Sequence, residues 1–217
     1  MRVSICITTR NRTQKLADCL RALWDSHIKP HSVIVSDDSP ESQVQEKNRQ
    51  VVEQYPGTTY ITGPLRGVCA NRNNAVNAIP EQETDLVAFI DDDICVAPDF
   101  ISCAVDRYLQ VSPQRRNHII LSGVSQTQDG RETPPTMLSF RGYFRSTEVP
   151  QAVNIHAAVF PRSFFQEEQW DENIFFGYED AELCLRALKH GYKIMHCSEL
   201  RVNHDAGLNG SSLMVSD

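Results

Sequence analysis

Apolar and polar positions alternate between two periods along the chain, and the change of period marks out the elements. Val3-Ser4-Ile5-Cys6-Ile7-Thr8 is a short, largely apolar run that reads as a buried strand. After it, Thr13 is placed to cap a helix whose Leu16, Leu20, Leu23 and Trp24 recur at helical spacing. The pattern then repeats: a strand over His31–Ser36, a helix over about Glu41–Gln54 stopped near Pro56-Gly57, and a strand over Thr58–Thr62. A loop at Gly63–Gly67 leads to a polar helix carrying Ala70–Ala75, and Asp85–Ile90 is an apolar run without breakers. Strands alternating with helices predict an α/β fold built on a mostly parallel, Rossmann-like sheet with helices on its faces.

Beyond Ile90 the pattern becomes less regular. A helix over Pro98–Val111 and a strand over His118–Gly123 precede a polar loop, Gln126–Pro135. Ser139–Thr147 and Ala152–Phe160 read as strands of a smaller mixed lobe. Ala181, Cys184, Leu185 and Leu188 mark the expected core face of a helix that Gly191 stops, and Tyr192–Cys197 reads as a last strand. No linker or repeat divides the 217 residues, so one domain with two lobes is expected.

Composition narrows the function classes. Hydrophobic residues make up 41% and charged residues 23%, ordinary for a water-soluble globular protein. A formal net charge of −7 argues against a nucleic-acid partner. No apolar run is long enough to cross a bilayer and the N-terminus lacks a signal pattern, so a cytoplasmic setting is expected, with room left for peripheral membrane contact. The seven cysteines contain no Cys-x-x-Cys pair and suggest neither zinc nor a disulfide framework.

The chemistry gathers where apolar runs end in acids. Asp91-Asp92-Asp93 follows the breaker-free strand, and ligands of open α/β sheets bind at the carboxyl ends of strands. If the chain stays extended, Asp91 and Asp93 share one face and Asp92 takes the other. Paired carboxylates call for a hard cation, Mg²⁺ or Mn²⁺. Asp37-Asp38 repeats the strand-then-acid arrangement. There is no glycine before Gly57, which excludes a Gly-rich dinucleotide turn or a P-loop; Arg10, Arg12, Arg66 and Arg72, on loops or helix starts after strands, are the candidates to grip a diphosphate. Glu179 and Asp180 open the last helix, where its dipole favours ionised carboxylates. His204 could add an imidazole to an aspartate site. Taken alone, each of these features has an ordinary structural explanation as a cap, a solvated acid or a core residue.

Their order resembles the family 2 inverting glycosyltransferases of GT-A fold, from Val3 to about Gly210. Thr8-Thr9-Arg10-Asn11-Arg12 is similar to the family's opening nucleotide-binding segment, Asp37-Asp38-Ser39 to its base-binding acidic turn, Gly67–Asn73 to its Ala-Arg-Asn segment, and Asp91-Asp92-Asp93 to its Asp-x-Asp motif. Phe175 to Arg186 is similar to its Glu-Asp segment, and His204 with Gly207 and Ser211 to the ending of galactofuranosyl- and rhamnosyltransferase-like members. The resemblance implies Asp180 as catalytic base with Glu179 beside it, and Asp93, Asp91 and His204 on a Mn²⁺ or Mg²⁺ ion. It implies Thr8, Thr9, Arg10, Asp37, Asp38, Arg72, Asp91 and Asp92 around the nucleotide-sugar donor. Residues 1–97 would form the donor half, and residues 98–217 the half for acceptor and base. The implied reaction moves a sugar, most simply from a UDP-sugar, to a hydroxyl of a carbohydrate or small-molecule acceptor, with Trp170, Phe175, Phe176 and Tyr178 as a candidate acceptor wall. Rival expectations are a dTDP-rhamnosyltransferase-like donor, a sugar nucleotidyltransferase, and a carbohydrate-binding protein without catalysis. Asn71 in place of Ala, and Ser39-Pro40 in place of the turn glycine, depart from the family pattern.

Overall fold

The computed structural model describes residues 1–80, 83–127, 129–174 and 177–204. In chain order the elements are β1 (Val3–Thr9), α1 (Thr13–Trp24), β2 (Ser32–Asp37), α2 (Ser42–Val52), β3 (Thr58–Thr62), α3 (Val68–Asn77), β4 (Leu86–Asp91), β5 (Ile94–Val96), α4 (Phe100–Gln110) and α5 (Pro113–Arg116). They continue with β6 (Ile119–Thr127), β7 (Thr136–Leu138), β8 (Phe144–Ser146), a 3₁₀ turn (Ile155–Ala157), β9 (Ala158–Pro161), α6 (Phe164–Glu167), α7 (Glu179–Lys189) and β10 (Lys193–His204).

Eight strands form one sheet in the order β3-β2-β1-β4-β9-β6-β10-β5, and β7 with β8 make a separate hairpin. The first four strands run parallel, as the strand-helix alternation requires. β9 is antiparallel to both β4 and β6, and β5 is antiparallel to β10, so the sheet becomes mixed in its second half. Because side chains alternate across a strand, β1 and β4 feed two cores. Ile5, Ile7, Ala88 and Ile90 pack with Leu16, Leu20, Leu23, Phe100 and Tyr108 from α1 and α4. Cys6, Val87 and Phe89 pack on the opposite face with Val76, Phe164, Leu183 and Cys184 from α3, α6 and α7. All of these side chains are buried, which is why the strands read as continuous apolar runs.

Several expectations are corrected. The chain does not stay extended past Asp91: Asp92 and Asp93 form the turn between β4 and β5. Ser139–Thr147 is not one strand but spans the tip and second strand of the hairpin. Only the end of Ala152–Phe160 is strand, preceded by the 3₁₀ turn. On α7 the buried apolar positions are Ala181, Leu183, Cys184 and Ala187, whereas Leu185 is exposed, because helix α7 covers the sheet with a face rotated toward Leu183. The last strand runs on to His204, with a register break between His196 and Arg201, so His204 is a strand residue rather than a loop residue. At that break Gly123 lies so close to β10 that an added Cβ would be 2.0 Å from the Leu200 carbonyl oxygen.

Candidate active site

Parallel register brings the acidic strand ends together. Thr8 pairs with Asp91 across β1 and β4, and Thr9 pairs with Asp37 across β1 and β2, so three carboxyl ends finish on one line. The two threonines then hold the triplet: Thr8 Oγ1 donates to Asp91 Oδ1 at 2.9 Å, and Thr9 Oγ1 donates to Asp92 Oδ2 at 2.7 Å. Asp92 and Asp93 share the Arg12 guanidinium at 3.0 and 2.8 Å. His204 Nε2 stands 3.8 Å from the same Asp93 oxygen.

Arg72 is the hub of the site. It rises from α3 with only 3% of its side chain exposed, and its guanidinium reaches Asp91 at 3.4 Å, Glu179 at 3.2 Å and Asp180 at 3.4 Å. The Trp170 ring lies under it at 4.8 Å, a cation–π contact within a desolvated setting. This arrangement joins the end of β4 to the start of α7, whose first turn presents both acids. Tyr178, just before them, holds a left-handed backbone with φ of 64°, which is uncommon for a bulky residue and aims the first turn of α7 at Arg72.

The charges do not balance. Around these contacts five carboxylates, Asp91, Asp92, Asp93, Glu179 and Asp180, face two guanidinium groups. Burial pushes the Asp180 carboxyl up to about 7, against the lowering effect of Arg72. Burial likewise pushes Asp92 up to about 7, with Arg12 opposing. Asp93 shows the opposite outcome: burial raises it, but the neighbouring His204 imidazole and the charge of Arg12 hold it at about 2. Asp91 is also below its ordinary value, since Arg72 and His156 outweigh its burial.

His156 is the site residue that sequence reasoning missed. Its Nδ1 lies 3.4 Å from Asp91 and its ring is 5.1 Å from that of His204. The available signal was a histidine inside the apolar run Ala152–Phe160, which read as strand interior; the 3₁₀ turn lifts it toward Asp91 instead. Burial lowers its imidazole, with Asp91 opposing.

Other expected donors have structural duties. Asn71 exchanges two bonds with Ser36: it accepts from Ser36 Oγ at 2.6 Å and donates to the Ser36 carbonyl at 3.1 Å, fastening α3 to β2. Asn73 donates to the Trp170 carbonyl at 3.0 Å and accepts from the Trp170 N–H at 2.9 Å. Asp37 is fully buried and accepts from Ser39 N–H, Asn48 and Tyr60, so it holds the turn after β2. Asp38 accepts from Leu65 N–H at 2.9 Å, with its carboxyl raised by burial. Gly63 makes that approach possible: a Cβ there would sit 2.2 Å from Asp38 Oδ1. Arg10 is exposed and its charge acts on Asp38, whereas Arg66 pairs with Glu172 at 2.9 Å. Trp170 is 2% exposed and packs edge-on against Phe89, which makes it core rather than acceptor wall. Phe175, Phe176, Gly207 and Ser211 lie outside the described residues.

A family model described as glycosyl transferase family 2 matches residues 4–168, most of the chain. The chain belongs to glycosyl transferase family 2. Its eight-stranded mixed sheet is the GT-A fold. The family match includes β1, the acidic turn after β2, α3 and the Asp91–Asp93 triplet, but ends before Glu179 and Asp180. Among solved structures, Staphylococcus aureus TarS residues 1–349 in complex with UDP-GlcNAc aligns at a TM-score of 0.68 and 17% identity, over 100% of this chain and 62% of that one. The mannosyltransferase PcManGT from Pyrobaculum calidifontis, in complex with GDP-Man and Mn²⁺, aligns at a TM-score of 0.69 and 17% identity, over 96% of this chain and 58% of that one. The chain thus spans less than two thirds of these relatives, and 37% of the longer TarS structure. No curated protein sequence matches it. At such identities the structures attest the fold, and the family 2 assignment rests on the sequence model.

Proposed function

We propose that this family 2 glycosyltransferase moves a sugar from a nucleoside diphosphate donor, UDP-sugar first among them, to an acceptor hydroxyl with inversion, and that Asp180 is the base. The observation that carries the proposal is the convergence of Asp91, Glu179 and Asp180 on the buried Arg72. That convergence sets a donor-side carboxylate and a base-side carboxylate around one fixed charge. The donor complexes of the TarS fragment with UDP and of PcManGT with GDP-Man support a nucleotide-sugar donor for this chain.

A divalent cation fits the chemistry of the donor set, as an excess of carboxylates would otherwise repel a diphosphate. Among the described residues no three His, Cys, Asp or Glu side chains are grouped to hold a metal as they stand. Asp93 and His204, 3.8 Å apart, offer one oxygen and one nitrogen, a partial shell of the kind completed by substrate phosphates, while Asp91 is engaged by Thr8, Arg72 and His156. A Mn²⁺ or Mg²⁺ ion held there would supply neutralisation of the charge that develops on the departing nucleoside diphosphate. For Asp93 to serve it, the Arg12 side chain, 37% exposed, must give up the Asp93 oxygen it contacts.

The protein's own groups do the remaining work. Asp180 takes the acceptor hydroxyl proton as that oxygen attacks the anomeric carbon, and its raised carboxyl, close to 7, matches such a transfer near neutral pH. Arg72 holds Asp180 and Glu179 in place by a fork that a lysine could not reproduce. Asp38 and the turn after β2 would receive the base, with Gly63 giving them room. Residues 1–97 would then serve the donor and residues 98–217 the acceptor. The deciding experiment is a thermal-shift panel of UDP-, dTDP- and GDP-sugars with and without Mn²⁺, followed by transfer assays. Stabilisation by one nucleotide sugar but not by its free sugar supports the reading, and dTDP-rhamnose as the only effective donor would select the rhamnosyltransferase-like alternative. No response to any nucleotide sugar would remove it.

A further inference from the structure

The hairpin β7-β8 carries a cluster that the transfer chemistry does not use. Ten large apolar side chains are exposed among the described residues, and five of them, Phe140, Tyr143, Phe144, Val149 and Tyr178, lie in, directly after, or stacked on this hairpin. Such concentration is unlike the scattered single exposures of an ordinary surface. Phe140 at the tip is 105% exposed, so its ring projects away from the described residues. The tip is nonetheless built: Ser139 N–H donates to the Tyr143 carbonyl at 2.8 Å, Gly142 N–H to the Ser139 carbonyl at 2.8 Å, and Gly142 takes the turn with φ of 79°. Between Thr136 and Thr147 the sequence holds two arginines, Arg141 and Arg145, and no acid, in a chain whose net charge is −7. Neither arginine forms an ion pair among the described residues.

We propose that this hairpin docks the enzyme on an anionic bilayer surface, with Phe140 and Tyr143 entering the interface and Arg141 and Arg145 meeting lipid phosphates. A sugar subsite or a protein groove needs walls on more than one side of a ring, and the described residues give Phe140 none. A fluid apolar medium accepts a projecting ring without any matching wall. The arginines add attraction to an anionic leaflet, while the acidic remainder of the chain is repelled, which orients the hairpin toward the lipid. The hairpin's second strand reaches the segment that leads into the candidate base: Phe144 stacks on Tyr178 at 5.4 Å and 7° between planes, and Tyr178 immediately precedes Glu179 and Asp180. An acceptor hydroxyl carried on a membrane-anchored molecule would therefore be presented beside the start of α7. That last step rests on the proposed role of Asp180; the docking does not.

The test is flotation of the 217-residue protein with vesicles of phosphatidylcholine alone and of phosphatidylcholine mixed with phosphatidylglycerol, at low and high salt. Expected is association with the mixed vesicles that weakens with salt. Phe140→Ala with Tyr143→Ala should weaken association by about tenfold or more, as should Arg141→Gln with Arg145→Gln on the anionic vesicles. These side chains are solvent-exposed, so thermal midpoints and transfer to a soluble acceptor should match the unsubstituted protein. Absence of vesicle association, equal association without phosphatidylglycerol, or unchanged association of both double variants overturns the proposal. So does binding of inorganic phosphate that depends on the two arginines without any vesicle association, or dimerisation through the hairpin in place of lipid binding. Because flotation reads no catalysis, loss of transfer activity for other reasons leaves the result intact.

Discussion

Asp180 and Arg72 stand, at the candidate site, in a balance of burial against charge. One guanidinium is shared by three carboxylates, so it cannot keep Asp180 low, and burial carries that carboxyl to about 7. In the proposed mechanism only the ionised form accepts a proton, so kcat should fall as pH drops below about 7 and level off above it. Asp180→Asn should lose about 10² to 10⁴-fold in kcat while nucleotide-sugar affinity stays within a few-fold, measured by initial rates and calorimetry. Glu179→Gln should be milder. The same shift has a stability consequence with a fixed sign. A carboxyl raised in the folded state contributes stability that is full below its ordinary value of 3.8 and is lost as pH rises through about 7. Asp180→Asn should therefore melt at least as high as the unsubstituted protein at pH 8, with a flatter dependence of melting temperature between pH 4 and 8. A variant that melts lower at pH 8 would refute this account of the burial cost. Asp93 behaves in the opposite sense, held near 2 by the neighbouring His204 imidazole and Arg12 against its burial, so its contribution is present above the ordinary value and fades only in strong acid. Asp93→Ala and His204→Ala should both weaken Mn²⁺-dependent UDP binding. Asp92→Asn should leave that dependence largely intact, since Asp92 faces Thr9 and Arg12; Mn²⁺ titrations of UDP affinity separate these outcomes.

The strands, helices and loops position these residues through close backbone approaches. The loop between β3 and α3 passes so near the turn after β2 that Gly63 has no space for a Cβ. Gly63→Ala should displace Asp38 and cost about 1–3 kcal/mol in stability, with a matching loss of UDP affinity. Urea melts and calorimetry check both, and an alanine variant with unchanged UDP binding would remove the loop from the donor site. Helix α3 is tied to β2 by Asn71 and to the segment before α7 by Asn73, so its buried Arg72 cannot move independently. Arg72→Lys should therefore depress kcat far more than an exposed Arg→Lys exchange, because the fork that spans Asp91 and Asp180 is lost. Arg72→Ala adds an unpaired buried cluster of carboxylates and should destabilise the fold by about 3–5 kcal/mol.

Across the molecule the two halves share one sheet. β5, from the first half, pairs with β10 at the end of the described chain, and β9 is inserted between β4 and β6. The proposed donor and acceptor halves would thus be functional divisions of a single sheet. Unfolding should be one cooperative transition: Trp24, packed against the α1 core, and Trp170, in the opposite core, should report the same midpoint as circular dichroism. Separate midpoints for single-tryptophan variants would contradict it. No described helix is long and apolar enough to cross a membrane.

Much of this architecture can be read from the order of residues because its causes are local. Apolar runs such as Asp85–Ile90 declare buried strands, Gly and Pro mark their ends, and an acid after a parallel strand marks the binding edge. That reasoning, together with the family resemblance, singled out Asp37, Asp38, the Asp91–Asp93 triplet, Arg72, Asp180 and His204 as candidates. It misplaced the face of α7, since Leu185 and Leu183 are both apolar and only packing against the sheet chooses which is buried. It left Asn71 as a departure from the family pattern, because a side chain satisfied by a strand 35 residues away carries no mark of that pairing in a sequence. The Arg72–Asp180 contact joins positions 108 residues apart, and His156 meets Asp91 only because β9 is inserted beside β4. Local periodicity carries no record of such pairings. The types and approximate places of the site's charges are written along the chain, whereas which charge shares which partner, and hence which carboxyl is raised and which is lowered, follows from burial and distances that arise when the sheet closes around them.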